Sequence, residues 1–129
     1  MRKRTTDFFE TGTPIQVQEA IKAGADLKAQ AKYGRTPLMA AAGWNPNPEV
    51  ITVLLTAGAD IMARDTYGRT PLMAAARDNR NPEVITILLK AGADAKAKSS
   101  TGKTAFDYAQ GNAKLKGSDA YRKLEEASK

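Results

Sequence analysis

Apolar residues along this chain recur in short bursts on a helical period, and the bursts themselves repeat. Val50, Ile51, Leu54 and Leu55 stand at i, i+1, i+4 and i+5, which is one face of a helix. Val84, Ile85, Leu88 and Leu89 draw that face again. A burst of another kind precedes each: Leu38, Met39 and the alanines 40–42, then Leu72, Met73 and the alanines 74–76. Alanine-rich runs of this length predict a short helix with little bulk, against which a neighbour can pack closely. Polar punctuation separates the bursts. Thr36 is a good N-cap, with Pro37 at the first helical position, where its missing N–H costs nothing. NPNP at 45–48 interrupts, and Asn47 with Pro48 restarts a helix in the same manner. Gly58 stops that helix in a left-handed cap. DIMARDTYG, residues 60–68, is polar and turn-rich, and predicts an outstretched hairpin-like loop rather than a strand pair.

The pattern is an internal repeat. Residues 34–60 and 68–94 are identical at 22 of 27 positions, and AGAD returns at 23–26, 57–60 and 91–94. A degraded third copy opens at Gly102 with GKTAFDYAQG. Self-similarity at a fixed spacing of about 34 residues marks a stacked architecture. A single helix–loop–helix unit cannot bury its own apolar face, so units must stack, each touching only the next. The expected division is one domain of four units: 1–33 as an N-terminal cap, 34–67, 68–101, and 102–129 as a C-terminal cap. In the first, a front helix near 6–11 holds Phe8 and Phe9, and Thr13-Pro14 aligns with Asn47-Pro48. In the last, a helix over 118–127 carries Asp119, Arg122, Lys123, Glu125 and Glu126, the polar outer face that a terminal unit needs. With both caps in place, the domain reads as complete.

Composition fits this picture and narrows the chemistry. Of 129 residues, 42% are apolar but only 6% aromatic, which suits small side chains stacking neighbour on neighbour. Cysteine and histidine are both absent. The commonest general bases, soft metal ligands and activated nucleophiles are therefore missing, and no P-loop or GxGxxG occurs. The expectation is a non-enzyme with no catalytic, cofactor or metal site. Net charge is +6, with a pI near 9.7. That is mild attraction toward acidic partners. No apolar run approaches the roughly 18 residues of a membrane helix, and no apolar stretch follows the basic opening MRKR as in a signal peptide. A monomeric, cytoplasmic protein is expected.

The chain resembles the ankyrin repeat family. The likeness rests on GxTPLxxAA at Gly34–Ala42 and Gly68–Ala76, and on LLxAGAD at Leu54–Asp60 and Leu88–Asp94. The first unit keeps IKAGAD at Ile21–Asp26, and the last keeps GKTAFDYA at Gly102–Ala109. The resemblance covers almost the whole chain. It implies an all-α solenoid of about four helix–turn–helix units with projecting hairpin loops. NPEVI and the 34-residue spacing look most like bacterial members. The common family spacing is 33, which puts one added residue in the inter-helix loop. Two departures stand out. Met39 and Met73 occupy the place of a histidine that ties hydroxyl and backbone groups together. The hairpin aspartate varies as Ala31, Asp65 and Ser99, which predicts a less rigid hairpin at 26–35 and 94–103 than at 60–69.

Function in such a family implies a rigid concave surface and hairpin tips presented to a protein partner. Carried over position by position, the candidates are Lys32, Tyr33, Arg35, Thr66, Tyr67, Arg69, Ser100, Thr101 and Lys103 on the hairpins, with Gly43, Trp44, Arg77 and Asp78 at the helix ends. The repeat supplies an independent pointer. The two copies differ only at Gly43/Arg77, Trp44/Asp78, Pro46/Arg80, Val53/Ile87 and Thr56/Lys90, and most of these fall where the framework dictates nothing. Trp44 reads either as a binding anchor of the kind enriched at hot spots or as a cover over the 45–48 loop. Tyr33 and Tyr67 read as partner contacts or as a pair stacked on each other. Met62, where neighbouring units have Lys28 and Lys96, reads as an apolar contact or as inward packing. The hairpins carry eight Lys or Arg against four Asp. That edge suits an acidic protein partner; polyanion or nucleic-acid binding is the alternative, with no recognised nucleic-acid motif and few interleaved aromatics behind it. An engineered or reconstructed scaffold with no natural partner is a third reading, from the closeness of the two copies.

Overall fold

The computed structural model describes residues 5–129, with side chains from Phe8 onward. The basic opening, residues 1–4, lies outside the described residues. Eight α-helices follow in chain order: α1 Thr5–Thr11, α2 Pro14–Lys22, α3 Pro37–Trp44, α4 Pro48–Thr56, α5 Pro71–Asp78, α6 Pro82–Lys90, α7 Ala105–Ala109 and α8 Asp119–Ala127. No strand occurs among the described residues.

Local chemistry sets these boundaries. Thr36 and Thr70 hydroxyls accept from the amides of Met39 and Met73, three residues on, and Pro37 and Pro71 take the first helical position. Thr104 does the same for α7 in a reciprocal box with Asp107. Thr13 opens α2 in such a box with Gln16. Asn47 and Asn81 cap α4 and α6. Both of these end against a left-handed glycine, Gly58 and Gly92.

The helices stack in two layers. α1, α3, α5 and α7 pack in one row, and α2, α4, α6 and α8 in the other. Leu38, Ile51, Leu54, Leu72, Ile85 and Leu88 are fully buried between the rows, and alanines 41, 42, 75 and 76 let the first-row helices close on one another. Phe9 is buried and meets Phe8 edge-on at 5.3 Å. On α8, Ala120 and Leu124 face inward, while Arg122, Lys123, Glu125 and Glu126 are exposed.

Two hydrogen-bond ladders run through the stack. One is buried in the inter-helix loops. The Asn45 amide donates to the Phe9 and Gly12 carbonyls, Asn79 to those of Ala42 and Asn45, and Asn112 to those of Ala76 and Asn79. Each of these asparagines also accepts from the backbone amide two residues on. The other ladder joins the hairpins. The Thr66 amide donates to the Tyr33 carbonyl, and that of Ser100 to Tyr67. Gln30 and Arg64 side chains each bridge a carbonyl of their own hairpin and one of the next.

Candidate partner-binding groove

The three hairpins differ as Ala31, Asp65 and Ser99 differ. One Asp65 oxygen accepts from the amides of Tyr67 and Arg69, and the other meets the Arg69 guanidinium at 3.0 Å. Both side chains are nearly enclosed, at 5% and 13% exposure. Ser99 is also buried; its hydroxyl is linked to Thr101, Tyr108 and the Lys103 amide. Ala31 has nothing to offer, and there Tyr33 adopts a left-handed backbone, φ 63°. It is the one non-glycine residue among those described to do so. In the hairpin at 26–35, Gln30, absent from the sequence reading, donates to Gly34 O, as Arg64 does to Gly68 O in the next.

The hairpins and the first-row helices enclose two adjoining hollows. One is lined by Arg35, Met39, Gly43, Trp44, Asp65, Arg69, Thr70, Ala74 and Asp78. The next is lined by Arg69, Arg77, Asp78, Lys103, Asp107, Tyr108 and Gly111. Arg69 and Asp78 line both, so the two hollows lie side by side on one face, here called the groove. Among the sequence-derived candidates, Arg35, Gly43, Trp44, Arg69, Arg77, Asp78 and Lys103 come together here. Lys32, Tyr33, Thr66, Tyr67, Ser100 and Thr101 stay exposed at the hairpin tips and do not line it. Met39, Ala74, Asp107 and Tyr108 were not among the candidates. Tyr108 had a visible signal: it stands where the other units have Ala40 and Ala74.

Trp44 ends α3 with 53% of its surface exposed, against the buried Met39 and Gly43. The tip tyrosines lean on each other, ring centroids 5.9 Å apart. Lys32 and Arg35 lie over the Tyr33 ring at 5.1 and 5.6 Å, and Arg69 over Tyr67 at 4.9 Å. Met62 is 41% exposed, so it points to solvent.

Burial pushes the Asp78 carboxyl above its ordinary value, while Arg77, Arg69 and Arg35 pull it down. Asp78, Arg35, Arg77 and Lys103 enter no ion pair with any described residue. Asp65 and Arg69, by contrast, satisfy each other. No cluster of metal-ligating side chains is present among the described residues, and no described helix is long and apolar enough to cross a membrane. The groove thus sets one half-exposed indole beside several charges that enter no ion pair.

A family model described as ankyrin repeats, three copies, matches residues 10–99 and again residues 44–117. No curated protein matches the chain well enough to count as a relative.

Proposed function

Because this chain belongs to the ankyrin repeat family, whose repeats are generally protein–protein interaction modules, we propose that it is a non-catalytic module that holds a protein partner in the groove running from Trp44 to Lys103. One observation carries this reading. The copies match at 22 of 27 positions, and four of the residues that break the match (Gly43, Trp44, Arg77 and Asp78) line that groove. At the exposed positions 44 and 77 packing does not demand the difference, which is what contact with a partner would select.

The mechanism is presentation rather than movement. Caps and ladders fix the helices and hairpins before a partner arrives, so little ordering entropy opposes binding. Trp44 supplies the half-exposed anchor and the arginines a polar rim, the residue types that dominate binding energy at interfaces. The module acts as a monomer.

A pull-down from lysate with immobilised wild type and with a Trp44→Ala, Arg77→Ala variant tests this, with washes at low and high salt and a nuclease-treated arm. Trp44 is half-buried, so the variant is first checked by circular dichroism, and its spectrum should match wild type. A protein held by wild type and lost by the variant supports the groove. Capture that survives the substitutions but disappears with salt or nuclease would shift the function to polyanion binding at the hairpin edge.

A further inference from the structure

We propose that the occupant of this groove is an acidic, extended segment of a partner chain, whose Asp or Glu carboxylates meet Arg35, Arg77 and Lys103 while an apolar side chain lies on Trp44. The inference rests on the groove being the binding surface, and adds what the occupant is made of.

Arg69 is held by Asp65 at 3.0 Å. The Asp107 carboxylate accepts from the Thr104 amide at the start of α7, a neutral donor that leaves its charge in place. Arg35, Arg77 and Lys103 enter no ion pair, against Asp78 and Asp107, so the cations exceed the carboxylates by one. Asp78 lies within the fields of Arg35, Arg69 and Arg77, so the free charge of the groove is positive.

Two of the cations are also held in position. Arg35 sits over Tyr33 at 5.6 Å and Lys103 over Tyr108 at 5.7 Å. A ring fixes a cation without neutralising it, unlike a carboxylate. A guanidinium so placed presents its fork to a planar carboxylate.

Phosphate would satisfy the same cations, but the half-exposed Trp44 indole argues for peptide, because an apolar side chain can lie on it. The hollow beside it, bordered by Met39, Gly43 and Ala74, has room for only about one water. Single-stranded nucleic acid needs successive stacking faces. Tyr33 and Tyr67 do not offer them, because they lean on each other and carry their own cations.

The test is selection from a random peptide library displayed on phage, panned against the intact protein. Enriched peptides are expected to be net negative with an aromatic or aliphatic residue. Synthetic copies should shift the fluorescence of Trp44, the only tryptophan in the chain. Affinity should fall about tenfold in an Arg35→Ala, Arg77→Ala variant. The milder Arg77→Gln and Lys103→Gln should each weaken binding with an unchanged circular dichroism spectrum. Replacing the peptide's Glu with Lys should abolish it.

Basic or uncharged peptides that move Trp44 would overturn the acidic occupant and leave the groove standing. Peptides that leave Trp44 and the arginine variants unaffected would overturn both readings. A library that yields no enrichment overturns the inference, and so does a single-stranded oligonucleotide that displaces the best peptide and shifts Trp44 equally.

Discussion

Substituting Ala31 with Asp should stabilise the protein, and the structure says by how much. The hairpins at 26–35 and 60–69 share their main-chain bonds. Residue 31 donates to the Arg35 carbonyl at 2.7 Å, and residue 65 to that of Arg69 at 3.0 Å. Gly34 and Gly68 donate back to residues 31 and 65, both at 2.9 Å. What the first hairpin lacks is the carboxylate that collects the amides of residues 67 and 69 in the second. In its absence Tyr33 sits at φ 63°. Residue 31 is exposed, so the two new amide–carboxylate bonds take the low end of their range, about 0.5 kcal/mol each. Returning Tyr33 from the left-handed region recovers about 1 kcal/mol. Arg35 would exchange its place on the Tyr33 ring for the new carboxylate, two interactions of similar worth at an exposed site, so they cancel. The sum is about 2 kcal/mol, or a rise in Tm of about 6 °C for a chain of this size. Urea denaturation followed by circular dichroism measures it, and a crystal structure of the variant should show Tyr33 at negative φ. An unchanged or lower midpoint, or a Tyr33 still at positive φ, would refute the reasoning. It would mean that the Asp65 contribution does not transfer and that Tyr33 is turned by something else.

Other outcomes follow from the same geometry. Asn79→Ala removes a buried amide bonded to two carbonyls and to the Asn81 amide, and should cost about 3 kcal/mol in urea denaturation, against about 1 for Asn47→Ala, which loses only a cap. Gly68→Ala should destabilise well beyond Gly92→Ala in thermal melts. Both glycines have positive φ, but a methyl at 68 would meet Ser100 Oγ at 2.8 Å and its amide nitrogen at 2.9 Å, while nothing lies within 4 Å at 92. The raised pKa of Asp78 means that the native state holds its proton more tightly than the unfolded chain, so ionisation above that pKa removes stability. Asp78→Asn should therefore be more stable than wild type at neutral pH, and the advantage should shrink as pH falls through the folded pKa of Asp78 toward the ordinary carboxylate value. A constant difference across that window would contradict the shift.

Much of this was legible because helix ends are local chemistry. Thr36-Pro37 and Asn47-Pro48 announce their caps in adjacent residues, and period announces the apolar faces. The self-alignment reached the groove for a different reason. Where packing is silent, two copies are free to differ, and Trp44/Asp78 is such a place. The asparagine ladder stayed hidden because its partners lie 33 to 37 residues away and are carbonyls, which every residue has. An asparagine in an NPNP stretch reads as a turn former. Only its return at 45, 79 and 112, and its burial, mark it as something else. The left-handed Tyr33 was invisible in the same way, since it follows from a side chain that residue 31 does not have. The split of the candidates between groove and tips was also beyond sequence, because neighbours in the chain such as Tyr33 and Arg35 part company only once the hairpin is folded.

The asparagine ladder has a consequence for how such a chain grows. Each rung reads main chain alone: Asn79 grips the carbonyls of Ala42 and Asn45 and would grip those of any other residues held in the same place. The joint is blind to the identity of the layer beneath it. A gene segment encoding one layer can be copied in register and inserted without redesigning either seam. A duplicated layer such as 34–60 and 68–94 is therefore tolerated at once. The few positions outside that grip, 44 and 78 among them, are then the ones at which a copied layer acquires an identity of its own.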